Sequence, residues 1–158
     1  MKHWLMKTEP DGFSIDDLER VGREPWTGVR NYQARNFMRE MRKGDAVLFY
    51  HSSCAVPGVV GLAEVASVPY PDPTQFDPDS QYHDAKSTTG AARWDLVDVA
   101  FVRRFDPPVT LEMLRADADR LGDFALLRRG NRLSVLPVSA AQFRRILALE
   151  RQHRGASR

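Results

Sequence analysis

The chain has 158 residues, of which 42% are hydrophobic and 28% are charged, and its formal net charge is +2. This size fits one globular domain with its own core and argues against two domains. The single cysteine, Cys54, excludes an intramolecular disulfide framework and predicts a reducing, cytoplasmic location, while the chain shows no signal-peptide core and no apolar run of membrane-spanning length.

Two helices and a strand are predicted in the first 43 residues. The apolar run at 3 to 8 predicts a strand, and Ser14 with Asp17 forms a capping box that starts a short helix over 15 to 21. Asn31 is expected to cap a second helix that runs to about Lys43. Four apolar residues recur at helical spacing along it and predict its buried face: Ala34, Phe37, Met38 and Met41.

The middle of the chain predicts two neighbouring strands and a long loop. Residues 46 to 52 are apolar on both alternating faces, which is typical of a strand covered on both sides. Residues 58 to 68 predict its neighbour, in which Gly61 marks a bulge or a close backbone approach. Four prolines then punctuate a loop whose aromatic residues, Tyr70, Phe76 and Tyr82, predict that it is ordered against the body.

The C-terminal part predicts two further strands and two helices. Residues 93 to 105 form the longest strand candidate, Thr110 starts a short helix, and 132 to 138 predict a last strand. Ser139 and Gln142 form a second capping box, and the buried stripe of the following helix is predicted as Ala140, Phe143 and Leu147.

These elements predict an α+β fold with five or six strands in a small, partly open barrel flanked by helices. We expect one domain over residues 1–150, followed by a flexible tail over 151–158 that has nothing to pack against. The oligomeric state is open, with a monomer expected.

Catalytic patterns are weak in this sequence. The acid pairs Asp16-Asp17 and Asp95 with Asp98 fit structural or solvated carboxylates better than a catalytic pair, and His51 with Cys54 lacks the further ligands that a zinc site needs. Phosphate-binding glycine loops, nucleophile elbows and dinucleotide fingerprints are absent from the sequence. We therefore expect no enzyme, no metal site and no cofactor.

The stretch WTGVRNYQARN, residues 26 to 36, has the composition of a base-binding site. The helix start at Asn31 offers free backbone N–H groups to a phosphate, and Arg30 could complete the anion site. Trp26 offers a flat face for an unpaired base, and amide side chains match a nucleobase edge. The alternative from spacing alone is a capped amphipathic helix with Trp26 as a core plug.

Arginine makes up nineteen of the twenty-three basic residues, since only four are lysine. Its guanidinium binds phosphates bidentately and stacks on flat rings, which favours a nucleic-acid partner. Genomic base composition would explain the same bias.

Several long blocks resemble the EVE domain family of the PUA-like superfamily. They run in order from residue 4 to about 149, which makes the resemblance specific, and they are WLMKTEPDGFSIDDL (4–18), WTGVRNYQARNFMR (26–39), GDAVLFYHSS (44–53), PGVVGLAEV (57–65), YPDPTQFDPDSQYHD (70–84), KS (86–87), RWDLVDV (93–99) and GNRLSVLPV (130–138). The family's SEP segment is here Thr8-Glu9-Pro10, a change that keeps the hydroxyl.

The resemblance implies a PUA-like pseudobarrel with a pocket for a modified nucleobase, extruded from DNA or RNA and bound without chemistry. Related PUA-like readers hold such a base in an aromatic cage, which replaces its lost stacking neighbours. The implied pocket residues are Trp26, Val29, Asn31, Tyr50, His51, Ser52, Trp94 and Ser134, and the implied phosphate or backbone contacts are Lys7, Thr8, Arg30, Arg35, Lys86 and Arg93.

Several of these roles have a structural alternative. Trp94 begins an alternating strand and would also fit core packing, and His51 and Ser52 would also fit packing within the barrel. Three other functions stay open as well: a nucleotide-processing enzyme, a binder of a free nucleoside or another small planar ligand, and a protein-interaction module.

Overall fold

The computed structural model describes residues 1–156 and contains a mixed six-stranded sheet that curls into a half-barrel. The strands of the protein are β1 (His3–Thr8), β2 (Arg23–Pro25), β3 (Ala46–His51), β4 (Gly58–Val65), β5 (Tyr70–Pro71), β6 (Asp95–Leu96), β7 (Asp98–Thr110) and β8 (Val135–Val138). The large sheet has the order β2-β7-β4-β3-β1-β8, and β5 pairs with β6 in a small separate sheet. The predicted α+β fold on a partly open barrel is confirmed.

Strands β1 and β3 are parallel, whereas the other neighbouring pairs of the large sheet are antiparallel. Gly61 lies at a register shift between β4 and β7, where a Cβ atom would come within 2.8 Å of both the Arg103 carbonyl oxygen and the Ile15 side chain. The absence of a side chain therefore allows the close approach that the sequence predicts.

Five helices flank the sheet: α1 (Ile15–Val21), α2 (Tyr32–Glu40), α3 (Leu111–Ala116), α4 (Ala118–Leu121) and α5 (Ala140–Ala156). Their predicted starts are confirmed. Ser14 and Asp17 form the capping box of α1, Asn31 caps α2 and Thr110 caps α3. At the start of α5, Ser139 N donates to Gln142 Oε1 and Gln142 N donates to Ser139 Oγ. None of the helices within residues 1–156 has the length and apolar character needed to cross a membrane.

The core lies on both faces of the sheet, because strand β3 is apolar at consecutive positions, whose side chains point to opposite faces. In β3, Val47 and Phe49 face the cluster under α1 and α2, whereas Leu48 and Tyr50 face the cluster under α3 to α5. The prediction that this strand is covered on both sides is confirmed.

The long loop after β4 is ordered by buried polar contacts. The Gln75 side chain is fully buried; its amide nitrogen donates to the carbonyls of Asp72 and Trp94, each at 2.7 Å, and its oxygen accepts from the N–H groups of Arg93 and Trp94 at 3.1 Å. These four bonds tie the two ends of the loop together. They make its position definite despite its length.

Several predicted elements differ in extent, and among them β4 ends at Val65, where the strand was predicted to run to residue 68. Helix α2 ends at Glu40 because Met41 is extended, not at Lys43. The predicted strand over 93 to 105 is interrupted at Val97, so β6 and β7 belong to different sheets. The last strand is shorter than predicted and begins only at Val135.

Helix α5 also departs from the prediction. Its buried residues are Ile146, Leu149 and Glu150, the predicted Phe143 and Leu147 are partly buried against the same cluster, and Ala140 is exposed. The helix continues into the segment expected to be a flexible tail. There, His153 Nδ1 lies 2.9 Å from the Pro108 carbonyl oxygen, a contact that the expectation of an unpacked tail overlooked. Residues 157–158 of that tail lie outside the described residues.

Candidate functional site

The main cavity lies beside β1, β2 and the proline-rich loop, and its volume is about 630 Å³. That volume is in the range of small-molecule sites and exceeds what a single base requires. Its lining residues come from four separated segments: Lys7, Thr8, Glu9, Gly12, Phe13, Glu24, Pro25, Trp26, Thr27, Gly28, Val29, Arg30, Gln81, Tyr82 and Ser134. Of the fourteen residues predicted to form the site, the cavity collects six: Lys7, Thr8, Trp26, Val29, Arg30 and Ser134.

Trp26 belongs to both the cavity and the core. Its side chain is only 8% exposed and meets the Phe49 ring edge-on, with 5.6 Å between ring centroids. Its indole N–H has no hydrogen-bond partner among residues 1–156, yet no fully buried side-chain nitrogen or oxygen in that range is unsatisfied. The N–H is therefore accessible, and because Trp26 lines the cavity, a ligand there can accept a hydrogen bond from it.

The cavity lining also includes Tyr82, which lies against the backbone of Gly28. A Cβ atom at Gly28 would approach the Tyr82 ring to 2.6 Å, and the φ angle of Gly28 is +88°. Both the contact and the left-handed backbone require glycine. This close approach positions an aromatic ring from the loop against the cavity.

Asp72 holds the segments around the cavity together. Its carboxylate is 1% exposed and accepts hydrogen bonds from Gly28 N, Arg30, Thr74 N and Thr74 Oγ1 at 2.6 to 3.1 Å. Burial alone would raise the pKa of Asp72, but the hydrogen bonds from Thr74, Gly28 and Arg30 outweigh it and hold the pKa below the ordinary value. The ionised carboxylate is thus part of the cavity's framework.

Arg30 lines the cavity, but its guanidinium is occupied by protein acceptors. Nε and one terminal nitrogen donate to the Tyr82 carbonyl, and the remaining bonds go to the Val29 carbonyl, Asp72 and Thr74. These five bonds use all five N–H donors of the side chain. The predicted phosphate contact of Arg30 would require breaking them, so its role here is to fix the proline-rich loop.

Three charged side chains line the cavity without a salt bridge to another of residues 1–156: Lys7, Glu9 and Glu24. Burial lowers the pKa of Lys7 from its ordinary value, and its ammonium lies 5.9 Å from the centre of the Tyr50 ring. The cavity lining therefore includes one basic and two acidic residues without a salt-bridge partner among residues 1–156, in addition to Trp26. This mixture suits a ligand edge that carries both acceptors and donors.

Four predicted pocket residues lie outside the cavity lining because they serve the fold. The Asn31 side chain accepts from Ala34 N at 3.0 Å as the cap of α2. Tyr50 is 3% exposed in the core, and burial raises its pKa to about 12. His51 Nε2 accepts from Ile15 N at 3.0 Å, and Ser52 N donates to the Thr8 carbonyl at 2.9 Å.

Trp94 also lies outside the cavity lining, as the alternative of structural packing predicts. It is 5% exposed, and its indole N–H donates to Asp84 Oδ2 at 2.8 Å. The three remaining predicted phosphate contacts, Arg35, Lys86 and Arg93, do not line the cavity. Arg35 donates to the Arg93 carbonyl at 2.8 Å.

His51 predicts a pH dependence of stability. Burial lowers the pKa of His51; the smaller effect of Asp16 raises it, and that of Arg104 lowers it. Nε2 must be unprotonated to accept the hydrogen bond from Ile15 N. Protonation would turn this acceptor into a donor, so the contribution is present above the unfolded-state pKa of about 6.5 and is lost as the pH falls below it.

We expect the loss for the wild type between pH 7 and 5 to exceed that for His51→Gln by about 1 kcal/mol, the net value of one hydrogen bond. Glutamine keeps an acceptor that does not titrate in this range. Urea unfolding of both proteins at each pH measures the difference, and identical pH profiles would contradict the assignment.

Groups of three or more His, Cys, Asp or Glu residues suited to a metal do not occur within residues 1–156. His51 and Cys54, considered as ligands from their spacing, therefore lack further ligands there. The structure offers no metal-based chemistry at the main cavity on the side chains that line it.

The residues that sequence reasoning overlooked come from segments without regular patterning. Phe13, Glu24, Thr27, Gln81 and Tyr82 all line the cavity. Of these, Tyr82 had a signal, because an aromatic residue in a proline-rich loop is expected to pack against the body. Thr27 adjoins Trp26 in the predicted stretch, whereas Phe13, Glu24 and Gln81 reach the cavity through long-range contacts that local spacing does not encode.

Comparison with known proteins identifies the family. The EVE domain model matches residues 2–149. Human thymocyte nuclear protein 1 is 40% identical over 166 residues, which cover 94% of this chain and 73% of that protein. The zebrafish (Danio rerio) protein of the same name is 41% identical over 167 residues, covering 94% and 72% of the two chains.

Solved structures share the fold over almost the whole chain. A crystal structure of a Pseudomonas syringae protein superposes with a TM-score of 0.90 at 51% identity, covering 94% of this chain and 99% of that chain. The crystal structure of human THYN1 protein in complex with 5-methylcytosine containing DNA gives a TM-score of 0.90 at 38% identity, covering 95% and 98%.

Proposed function

The chain belongs to the EVE domain family, and from this premise we propose that it is a DNA-binding module that holds one modified nucleobase in the main cavity. The base is extruded from its strand before it is bound. The human THYN1 complex with 5-methylcytosine containing DNA supports this proposal and makes 5-methylcytosine the first ligand to test.

The observation that carries the proposal is the pairing of aromatic and polar groups around one cavity. Trp26 and Tyr82 supply rings, and the accessible indole N–H, Lys7 and the carboxylates of Glu9 and Glu24 supply donors and acceptors. An extruded base needs both, because it loses its stacking neighbours and exposes its hydrogen-bonding edge. An amino-substituted base such as cytosine offers an exocyclic donor next to ring acceptors.

Methyl recognition follows from the apolar part of the lining. Val29 and Phe13 are apolar residues of the cavity, and burying one methyl group there contributes about 0.8 kcal/mol. This is about a fourfold gain in affinity. Larger discrimination would require hydrogen bonds that fix the base so that its methyl group points at these residues.

The test is a binding panel with fluorescent DNA oligonucleotides that differ only at one base. We expect 5-methylcytosine to bind at least about fourfold more tightly than cytosine, and all affinities to fall with salt because phosphates are contacted. Other modified bases and RNA versions of each strand complete the panel. Equal affinity for cytosine and every modified base would contradict the proposal.

We propose further that the protein acts by binding alone. The family relatives support a non-enzymatic role, and analysis of the oligonucleotides after incubation distinguishes it from a nucleotide-processing enzyme. Unchanged oligonucleotides are expected, whereas a base released, deaminated or cleaved from the strand would overturn this part. A cytoplasmic monomer remains our expectation from the sequence.

A binder of free planar ligands is the second candidate, because the cavity volume of about 630 Å³ exceeds one base. The free modified nucleoside, added to the same panel, separates the two. A module for nucleic acid binds the oligonucleotide more tightly, since phosphate contacts are added to the base contacts.

A further inference from the structure

An exposed aromatic ring lies next to the main cavity but outside it. Tyr32, the first residue of α2, is 51% exposed. Its ring stacks on Trp94 with a centroid separation of 4.7 Å and an interplanar angle of 20°. Because Trp94 covers one face and the side chain is still half exposed, the other face of Tyr32 is accessible.

Arg35 lies beside this pair of rings. Its guanidinium carbon is 4.7 Å from the Tyr32 ring centre and 6.0 Å from the Trp94 ring centre. A group directly beyond Tyr32 would be about twice as far from Trp94 as Tyr32 is, so Arg35 does not lie directly beyond the Tyr32 ring. Hydrogen bonds to the Arg93 carbonyl and to Asn36 Oδ1 hold the guanidinium there.

The stack is connected to the main cavity through Arg30. The guanidinium carbon of Arg30 lies 5.4 Å from the Trp94 ring centre and 5.6 Å from the ring centre of Tyr82, which lines the cavity. One side chain thus separates the cavity from the Tyr32 stack. Contacts through Arg30 and Trp94 thus connect the cavity residue Tyr82 with Tyr32.

We propose that the outer face of Tyr32 is a second stacking site, which binds the base that flanks the extruded nucleotide in the same DNA strand. Stacking on Trp94 fixes the orientation of the Tyr32 ring, so little conformational freedom of this side chain is lost on binding. Arg35 adds a positive charge beside the ring, where the phosphate of that flanking nucleotide can reach it.

This inference rests on the proposed function, since it assumes that a base of the same strand occupies the main cavity. The stacking site also provides a contact for the bases next to the extruded nucleotide, which the cavity does not hold. When a base is extruded, its neighbours lose a stacking partner, and an aromatic side chain outside the cavity can replace it. Strand binding is then favoured over binding of a free nucleoside.

The test is a double-mutant cycle between Tyr32 and the flanking bases. Wild type, Tyr32→Ala and Tyr32→Phe are titrated with DNA strands that carry one 5-methylcytosine and either normal flanking bases or an abasic site on one side. We expect Tyr32→Ala to bind the normal strand roughly 5- to 100-fold more weakly, whereas the loss disappears when the base on the stacked side is absent. Tyr32→Phe keeps the ring and should bind within about twofold of wild type.

Free 5-methyl-2′-deoxycytidine separates this inference from the proposed function. Tyr32→Ala should bind it as wild type does, because the nucleoside has no flanking base. Should wild type not distinguish 5-methylcytosine from other bases while Tyr32→Ala still weakens strand binding, the cavity proposal fails, and with it the assignment of Tyr32 to a base that flanks an extruded nucleotide. Equal loss for strands with and without the flanking base, or no loss at all, would overturn the stacking site, provided that circular dichroism melting shows both variants folded.

Discussion

Replacing Asp72 with alanine is expected to lower the free energy of unfolding by about 3–5 kcal/mol and to abolish base binding. The substitution removes the acceptor of four hydrogen bonds and leaves Arg30, whose side chain is 21% exposed, without its carboxylate partner. Gly28 and Thr74 would lose their fixed positions with it. The segments that contain Gly28 and Thr74 would then no longer be held at a fixed distance from each other.

Urea unfolding and titration with a 5-methylcytosine oligonucleotide measure the two effects. Asp77→Ala is the matched control, because Asp77 is an exposed acid of the same loop whose carboxylate accepts only from Asp79 N among residues 1–156. Its effect on unfolding should stay within about 0.5 kcal/mol. If the two variants are equally stable, the assigned role of Asp72 is wrong.

Arg30 provides a second check on the same interaction. Adding Arg30→Met to Asp72→Ala removes the charge that was left unpaired, so part of the lost stability should return. The pH dependence follows from the lowered pKa of Asp72: its contribution is complete above the unfolded-state value of about 3.9 and is lost as the pH falls through the folded-state value.

Local sequence signals predicted the elements of the fold well. Ser14, Asn31, Thr110 and Ser139 each start a helix where the capping pattern indicated, because a cap depends on residues at most three positions away. The two-sided burial of β3 followed equally from the alternation of its side chains. Element ends were less accurate, since tertiary contacts decide how far a helix such as α5 continues.

The site was predicted only in part, because its contacts are long-range. Arg30 was assigned to phosphates from its position before a helix start, but its partners Asp72, Thr74 and Tyr82 lie 42 to 52 residues away. Asn31 and His51 were assigned to the base, yet both bond backbone N–H groups of helix starts. A polar side chain near a site can bond either a ligand or a backbone N–H group, and sequence spacing does not distinguish the two roles.

Trp26 was predicted as a cage wall or, alternatively, as a core plug, and it lies both in the core cluster and in the cavity lining. The ring packs on Phe49, and its N–H is not fully buried. A substitution at this residue therefore changes stability and binding together. Separating the two effects requires variants that remove the ring's volume, its aromaticity and its N–H one at a time.

We expect Trp26→Ala to lose about 3–5 kcal/mol of unfolding free energy together with base binding, because it leaves a large space in the core. Trp26→Phe keeps an aromatic ring but removes the N–H, and Trp26→Leu keeps apolar volume but removes the ring. Both should remain folded. Leucine should weaken binding of the 5-methylcytosine strand roughly 5- to 100-fold if the ring stacks on the base, whereas a similar loss with phenylalanine would assign the contact to the N–H.

Trp4→Phe is the matched control for these Trp26 variants. Trp4 is 2% exposed in the same core cluster and donates its indole N–H to Asp45, but it does not line the main cavity. Its substitution should lower the free energy of unfolding and leave the affinity of the folded protein for the oligonucleotide unchanged. If Trp26→Phe and Trp26→Leu bind the modified strand as tightly as wild type, Trp26 is a core residue alone, and the base-binding cavity must be sought elsewhere on the molecule.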